Sequence, residues 1–288
     1  FKLYELQSME SNEGRADIFV NSFINGTNWE DEVTAIDRMA KLTKEDIVAF
    51  ADKYLKEDNY AVVYKKQGKD PNEKKMTKPE ITPIVSNRDV ASPFLTSIQE
   101  NAVKPIEPVF LDFKKDMSQL TAKSDIPVLY KQNTTNDLFQ LIYVFDMGNN
   151  NDKALGTAFD YLEYLGTSDM TPEELKSEFY RLACTFYVSP GNERTYVVLS
   201  GLNENMPAAM QLFEKLLADA QVNKEAYDNL VGDILKARAD AKLNQGQNFS
   251  RLMNYAMYGP KSPATNLLTE AELASMNPQE LVDRIHNQ

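Results

Sequence analysis

Six of the chain's 13 prolines, at positions 71, 79, 83, 93, 105 and 108, fall between residues 70 and 110. Proline fixes φ, removes a backbone donor and drives the residue before it out of the helical region. A segment this dense in proline is predicted to run extended and to divide the chain. Lys65 to Glu80 is also dominated by Lys, Asp, Glu, Asn and Gly, a solvated composition that is no nucleic-acid patch. One short helix is expected after Ser92-Pro93, with serine as cap and proline in the first helical position. The division this implies is residues 1–66 as the tail of a preceding α+β domain, 67–115 as a linker, and 116–288 as an α+β domain.

The rest of the composition excludes more than it assigns. Hydrophobic residues make up 42% of the 288 and aromatics 10%, enough for a buried core. With 43 acidic against 31 basic residues the net charge is −12. Such a surface repels phosphate backbones and anionic lipid, so neither nucleic acid nor a membrane is expected as a partner. No apolar run reaches the ~18 residues of a membrane span. One cysteine, Cys184, and one histidine, His286, leave no internal disulfide, no Cys-type zinc cluster and no two-histidine metal site. The chain opens at Phe1, with no initiator methionine or signal-peptide pattern, and is read as a piece of something longer.

Local signals place the elements. The first stretch, to about residue 57, is helical in pattern. Thr43-Lys44-Glu45-Asp46 has the form of a capping box, and Ile47, Phe50, Ala51 and Tyr54 behind it make an apolar stripe. Tyr60 to Tyr64 is predicted as a strand buried on both faces. Further on, Ile126–Tyr130 and Leu138–Met147 read as strands separated by a turn at Asn133–Asn136. A helix is expected over 152–165, with Ala154, Ala158, Leu162 and Leu165 inward. Thr171-Pro172-Glu173-Glu174 then starts a helix over 172–183. Two short strands, Thr185–Val188 and Thr195–Leu199, are joined through Pro190-Gly191-Asn192. Helices come next at about 205–219, 224–243 (capped by Asn223) and 248–257, with a last one opened by Asn277-Pro278. The order strand, strand, helix, helix, repeated, gives an α+β fold: a mixed, largely antiparallel sheet with helices on one face, preceded by a helical tail and extended linker. No glycine-rich phosphate loop precedes a helix, which removes nucleotide-binding readings.

Leu155-Gly156-Thr157-Ala158-Phe159-Asp160-Tyr161-Leu162-Glu163-Tyr164-Leu165-Gly166-Thr167 resembles the zinc helix of the insulinase/pitrilysin peptidases, an H-x-x-E-H motif with hydrophobics and Gly-Thr behind it. Thr171 to Leu199 is similar to the family's next helix and strand hairpin, ending in Glu193-Arg194-Thr195-Tyr196. Leu42 to Val63 resembles the close of one family half-molecule, and residues 116–288 the opening of the next. Zinc hydrolysis needs two imidazoles one turn apart, a third ligand and a glutamate base. On this alignment the histidine positions are Asp160 and Tyr164, and Glu163 alone keeps the motif's residue. The third-ligand region, Asp228–Leu230, holds no glutamate.

The resemblance therefore implies a degenerate domain with no catalytic and no metal-binding residue of its own. Zinc is expected in a separate domain of the parent chain, upstream of Phe1. The implied partners are a peptide or unfolded polypeptide and the other half of the parent. The implied compartment is periplasm or cytoplasm. One alternative is a structural or partner-binding family member without peptidase activity anywhere in the parent. Another is an α+β binding protein whose resemblance is accidental. Peptide capture by strand addition is expected at an edge strand, with Val197 and its neighbours as candidates. Cys184 is expected as a small buried hydrophobe, and Met206, Met210, Met253 and Met257 as core.

Overall fold

A computed structural model describes residues 1–68, 74, 76–84, 86 and 89–287. Pro71 and the other undescribed positions between 69 and 88, on which the linker reading partly rests, lie outside the described residues. The chain divides into two compact units, Phe1–Ile36 with Gln132–Gln288, and Asp37–Lys131.

In chain order the helices begin with α1 (Lys2–Ser8), α2 (Asn12–Asn25), α3 (Trp29–Val33), α4 (Ala35–Met39), α5 (Lys44–Tyr54) and α6 (Pro93–Gln99). Strands β1 (Ser118–Thr121), β2 (Pro127–Tyr130) and β3 (Leu138–Phe145) come next, then α7 (Leu155–Leu162) and α8 (Pro172–Arg181). The hairpin β4 (Cys184–Pro190) and β5 (Thr195–Leu202) leads into α9 (Met206–Asp219), α10 (Lys224–Lys242), α11 (Gln245–Tyr258), α12 (Glu270–Ser275) and α13 (Pro278–His286). The caps fall where local chemistry places them. Thr43 and Thr171 each close a capping box with the residue three further on, Asp46 and Glu174. Ser92 accepts from Leu95 N, and Asn223 from Ala226 N.

In the larger unit β3, β5 and β4 form an antiparallel sheet with β5 in the centre. The register runs from Leu138 opposite Leu202 to Phe145 opposite Thr195, and from Cys184 opposite Gly201 to Pro190 opposite Thr195. Side chains alternate across a strand, so Phe139, Cys184, Val197 and Leu199 share one face. That face packs on Phe179 and Leu182 of the α8 region and on Ala209 and Phe213 of α9. Phe186 packs between Phe179 and Phe213 with tilted rings, the centroids 5.2 and 4.9 Å apart. A second cluster surrounds α7, whose Leu155, Ala158, Phe159 and Leu162 are buried against Leu216, Leu230, Leu281 and Ile285. The opposite face of the sheet leaves Ile142, Val144 and Tyr187 about half exposed. The fold is α+β with helices on one sheet face.

Several expectations need correction. Tyr60–Tyr64 joins no ladder among the described residues, and Val63 is 93% exposed. A β-branched run favours extended backbone, yet a strand also needs a partner edge. The α5 stripe of Ile47, Phe50 and Tyr54 lies along one face of a real helix but is exposed, because no described residue of its unit covers it. Pro127–Tyr130 pairs with Ser118–Thr121 in a separate two-stranded sheet and not with Leu138–Phe145. Met206 and Met210 pack on the core, whereas Met253 and Met257 sit on the outside of α11, which buries no residue. Val197 is on the central strand and 1% exposed, so the edges are β3 and β4. The α12 helix lies outside the expected elements, although Thr269 and Glu272 form the same capping box as the other two.

Gly201 closes the sheet at its crowded end. It has φ of +156°, and a Cβ there would lie 2.4 Å from the Ala183 carbonyl oxygen and 2.6 Å from Cys184 Sγ. Both neighbours are fixed by the turn from α8 into β4, so neither can yield. Gly201→Ala is expected to cost about 2–3 kcal/mol in urea unfolding with the slope unchanged. A loss below about 0.5 kcal/mol would show that the turn relaxes freely.

Candidate functional site

The stretch that resembles the zinc motif forms α7 as far as Leu162, and its surroundings fix that helix tightly. Asp152 precedes it and accepts from Ala154 N at 2.9 Å, while Asn149 accepts from Gly156 N at 3.1 Å. Tyr161 is fully buried; its hydroxyl donates to the Asn223 carbonyl at 2.6 Å and accepts from the Asn223 amide at 2.8 Å. Burial of the phenol holds its pKa above the ordinary value. One side chain thus ties α7 to the residue that caps α10. Tyr227 on α10 meets it edge-on, 5.8 Å between centroids, and donates to the Leu273 carbonyl of α12.

Asp160, Glu163 and Tyr164 are on the exposed side of this anchored helix. The expected span to residue 165 is too long. The helix ends at Leu162, with Glu163 as its C-cap and Tyr164 beyond it. Burial and the like charge of Glu163 push the Asp160 carboxyl above its usual range. Tyr164 has the Lys176 ammonium 5.6 Å from its ring centroid, a cation–π contact. Asp228, in the third-ligand region, is exposed and pairs with Lys224 at 2.7 Å. The donor chemistry at 160, 163 and 164 does not fit a zinc site of the H-x-x-E-H kind. A zinc site of that kind needs two imidazoles, whereas these positions offer two carboxylates and a phenol, and Tyr164 lies beyond the end of the helix. Among the described residues no three of His, Cys, Asp and Glu cluster as a metal-holding group.

A cleft of about 650 Å³ adjoins this surface, with Glu163, Leu165, Lys176, Phe179, Thr185 and Phe186 in its walls. It therefore joins the end of the motif helix to the start of edge strand β4. Cys184 also lines it, but its thiol is buried and desolvation raises its pKa, so it is no poised nucleophile. The sequence pattern offers no reason to single out Lys176, Phe179 or Phe186 for this role. The spacings mark Phe179 and Phe186 only as inward-facing residues and Lys176 as a residue of the exposed face of α8.

No protein-family model matches the chain, and no curated protein sequence matches it. Solved structures do. The periplasmic protease PqqL from Escherichia coli superposes with a TM-score of 0.51 at 15% identity, over 88% of this chain and 25% of that one. The inactive domain of a peptidase M16 from Pseudomonas fluorescens gives 0.51 at 14% identity, over 59% of this chain and 43% of that one. The ferredoxin protease FusC, solved with Arabidopsis ferredoxin, gives 0.52 at 10% identity, over 96% of this chain and 33% of that one. The fold is that of the M16, or insulinase/pitrilysin, peptidases. The chain spans between a quarter and under half of the length of these proteins.

Two ionisations give opposite pH signatures. The raised Asp160 pKa means that the folded state holds the proton more tightly than the unfolded chain, so ionisation at neutral pH opposes folding. Asp160→Asn is expected to raise Tm at pH 7 and to leave it unchanged at pH 3. Glu272, bonded to Lys153 and to Thr269, is held down at about 2. Its contribution is present above the unfolded carboxyl value of 4.5 and lost as pH falls toward 2. Glu272→Gln should flatten the acid limb of a Tm–pH curve over that window.

Proposed function

We propose that this chain is a non-catalytic segment of an insulinase/pitrilysin-like peptidase. In this reading it forms part of a chamber wall and offers a contact surface for peptide, while a zinc-bearing H-x-x-E-H domain elsewhere in the parent carries out hydrolysis. The reading is supported by the M16-type fold together with the sequence resemblance of Leu155–Thr167 to the zinc motif, which sets Asp160 and Tyr164 at its two histidine positions and keeps Glu163 alone. The inactive M16 domain from Pseudomonas fluorescens shows that the fold exists without activity in another protein.

The peptide-contact part of the proposal is supported by the cleft between Glu163 and β4. An edge strand presents unpaired backbone groups to an added strand, and the apolar walls at Phe179 and Phe186 suit an apolar side chain from it. The partner is accordingly a peptide or unfolded polypeptide, besides the other half of the parent. FusC bound to ferredoxin is a case of a protein substrate on a related fold. The compartment is periplasm or cytoplasm, and PqqL, a periplasmic protease, belongs to the first.

Elemental analysis of the purified, dialysed chain is expected to find far less than one zinc per molecule. One zinc per chain would falsify the ligand-stripped reading. A fluorescein-labelled unfolded polypeptide should bind saturably and stay intact on incubation with this chain. Cleavage by the chain alone would overturn the proposal. Binding by neither this chain nor its parent selects a purely structural family member.

A further inference from the structure

A second cleft, of about 430 Å³, lies where the C-terminal part of α10 meets α11 and the start of α12. Its walls carry Arg238 and Lys242, one helical turn apart on α10, Arg251 from α11 and Glu270 from α12. Leu235 and Leu267 supply apolar surface between them. Three cations lining one cleft repel one another, and the cost falls only when an anion sits among them.

Elsewhere in the same unit several basic side chains have acids to hand. Arg181 bonds Glu178, Arg194 bonds Asp146, Arg284 bonds Asp152 and Lys215 bonds Asp169. In a chain of net charge −12 such partners are abundant. Yet among the described residues neither Lys242 nor Arg251 forms an ion pair, and Glu270 bonds to none of the three cations. Arg238 donates from Nη1 to the Leu268 carbonyl at 2.7 Å, which orients the guanidinium without neutralising it. The carbonyls ending α10 favour a cation at Lys242. They do not account for Arg251, which is half-buried in the middle of α11.

We propose that this cleft binds a phosphate group. A phosphate dianion balances the cationic excess better than a carboxylate does, and the guanidinium forks of Arg251 and Arg238 match its oxygens, with Lys242 as a point charge. The cleft is larger than a bare oxyanion, and its apolar wall at Leu235 and Leu267 has room for the organic body of a phosphate monoester. Free phosphate and a monoester share the recognising chemistry and differ only in use of that wall.

Calorimetric titration of the intact chain at pH 7.5 and constant ionic strength, with inorganic phosphate and with phenyl phosphate, tests the assignment. Saturable 1:1 binding is expected. Tighter binding of phenyl phosphate identifies a monoester, and equal affinity identifies free phosphate. Arg251→Gln and Lys242→Gln should each weaken binding about tenfold, Lys242→Arg should restore it, and Glu270→Gln should tighten it. Lys242 is exposed and Arg251 has no bonded partner among the described residues, so these variants are expected to keep the wild-type circular dichroism spectrum. No saturable binding of either probe, or equal affinity in wild type and both glutamine variants, would overturn the proposal.

Discussion

Contact between the inner face of β5 and the helix α9 holds the larger unit together. Val197 and Leu199 face Phe213, and all three are essentially excluded from solvent. The neighbouring strands gain an inner face only by pairing with β5, and Phe186 on β4 completes the aromatic row that runs from α8 to α9. Close packing of this kind leaves no slack: the turn between α8 and β4 presses its backbone against Gly201, where no side chain fits. Remove that contact and β3 and β4 lose both a hydrogen-bonding partner and a covered face.

The helix α7 depends on the same core from the other side. It is almost entirely apolar and is buried over most of its circumference, a pattern that suits the centre of a fold. Tyr161 reconciles this burial with a polar atom by giving its hydroxyl both groups of the Asn223 backbone. The same bonds position the start of α10. At the exposed corner left over, Asp160 to Tyr164, no three of His, Cys, Asp and Glu cluster among the described residues. The chemistry available there is electrostatic and steric: a carboxyl pair, a phenol beside a lysine, and a cleft leading to an edge strand.

Much of the local structure was legible in the residues. Thr43, Ser92, Thr171 and Asn223 mark helix starts because a short polar side chain satisfies an amide two or three residues on, a matter settled within one turn. Thr269 to Glu272 carries the same signal and marks the start of α12. The core stripe of α7 was visible in Ala154, Ala158, Leu162 and Leu165, all buried. Met253, Met257 and the α5 stripe show the limit of that logic. Period and polarity say which side of a helix prefers a partner, but not whether a partner is there.

The sequence by itself determined the helix starts at Thr43, Ser92, Thr171 and Asn223 and the order of the β4–β5 hairpin and the helices around it, because each is a property of neighbouring residues. Tertiary structure alone decided which strand is central, where α7 stops and what its exposed corner adjoins. It also decided that Arg238, Lys242 and Arg251 line one cleft without a carboxylate partner among the described residues. Arg238 and Lys242 are a turn apart in the chain, but Arg251, Leu267 and Glu270 reach them only through the path of the backbone between helices. Distances between residues so separated are set by the packing of whole elements, and nothing in the spacing of letters encodes them.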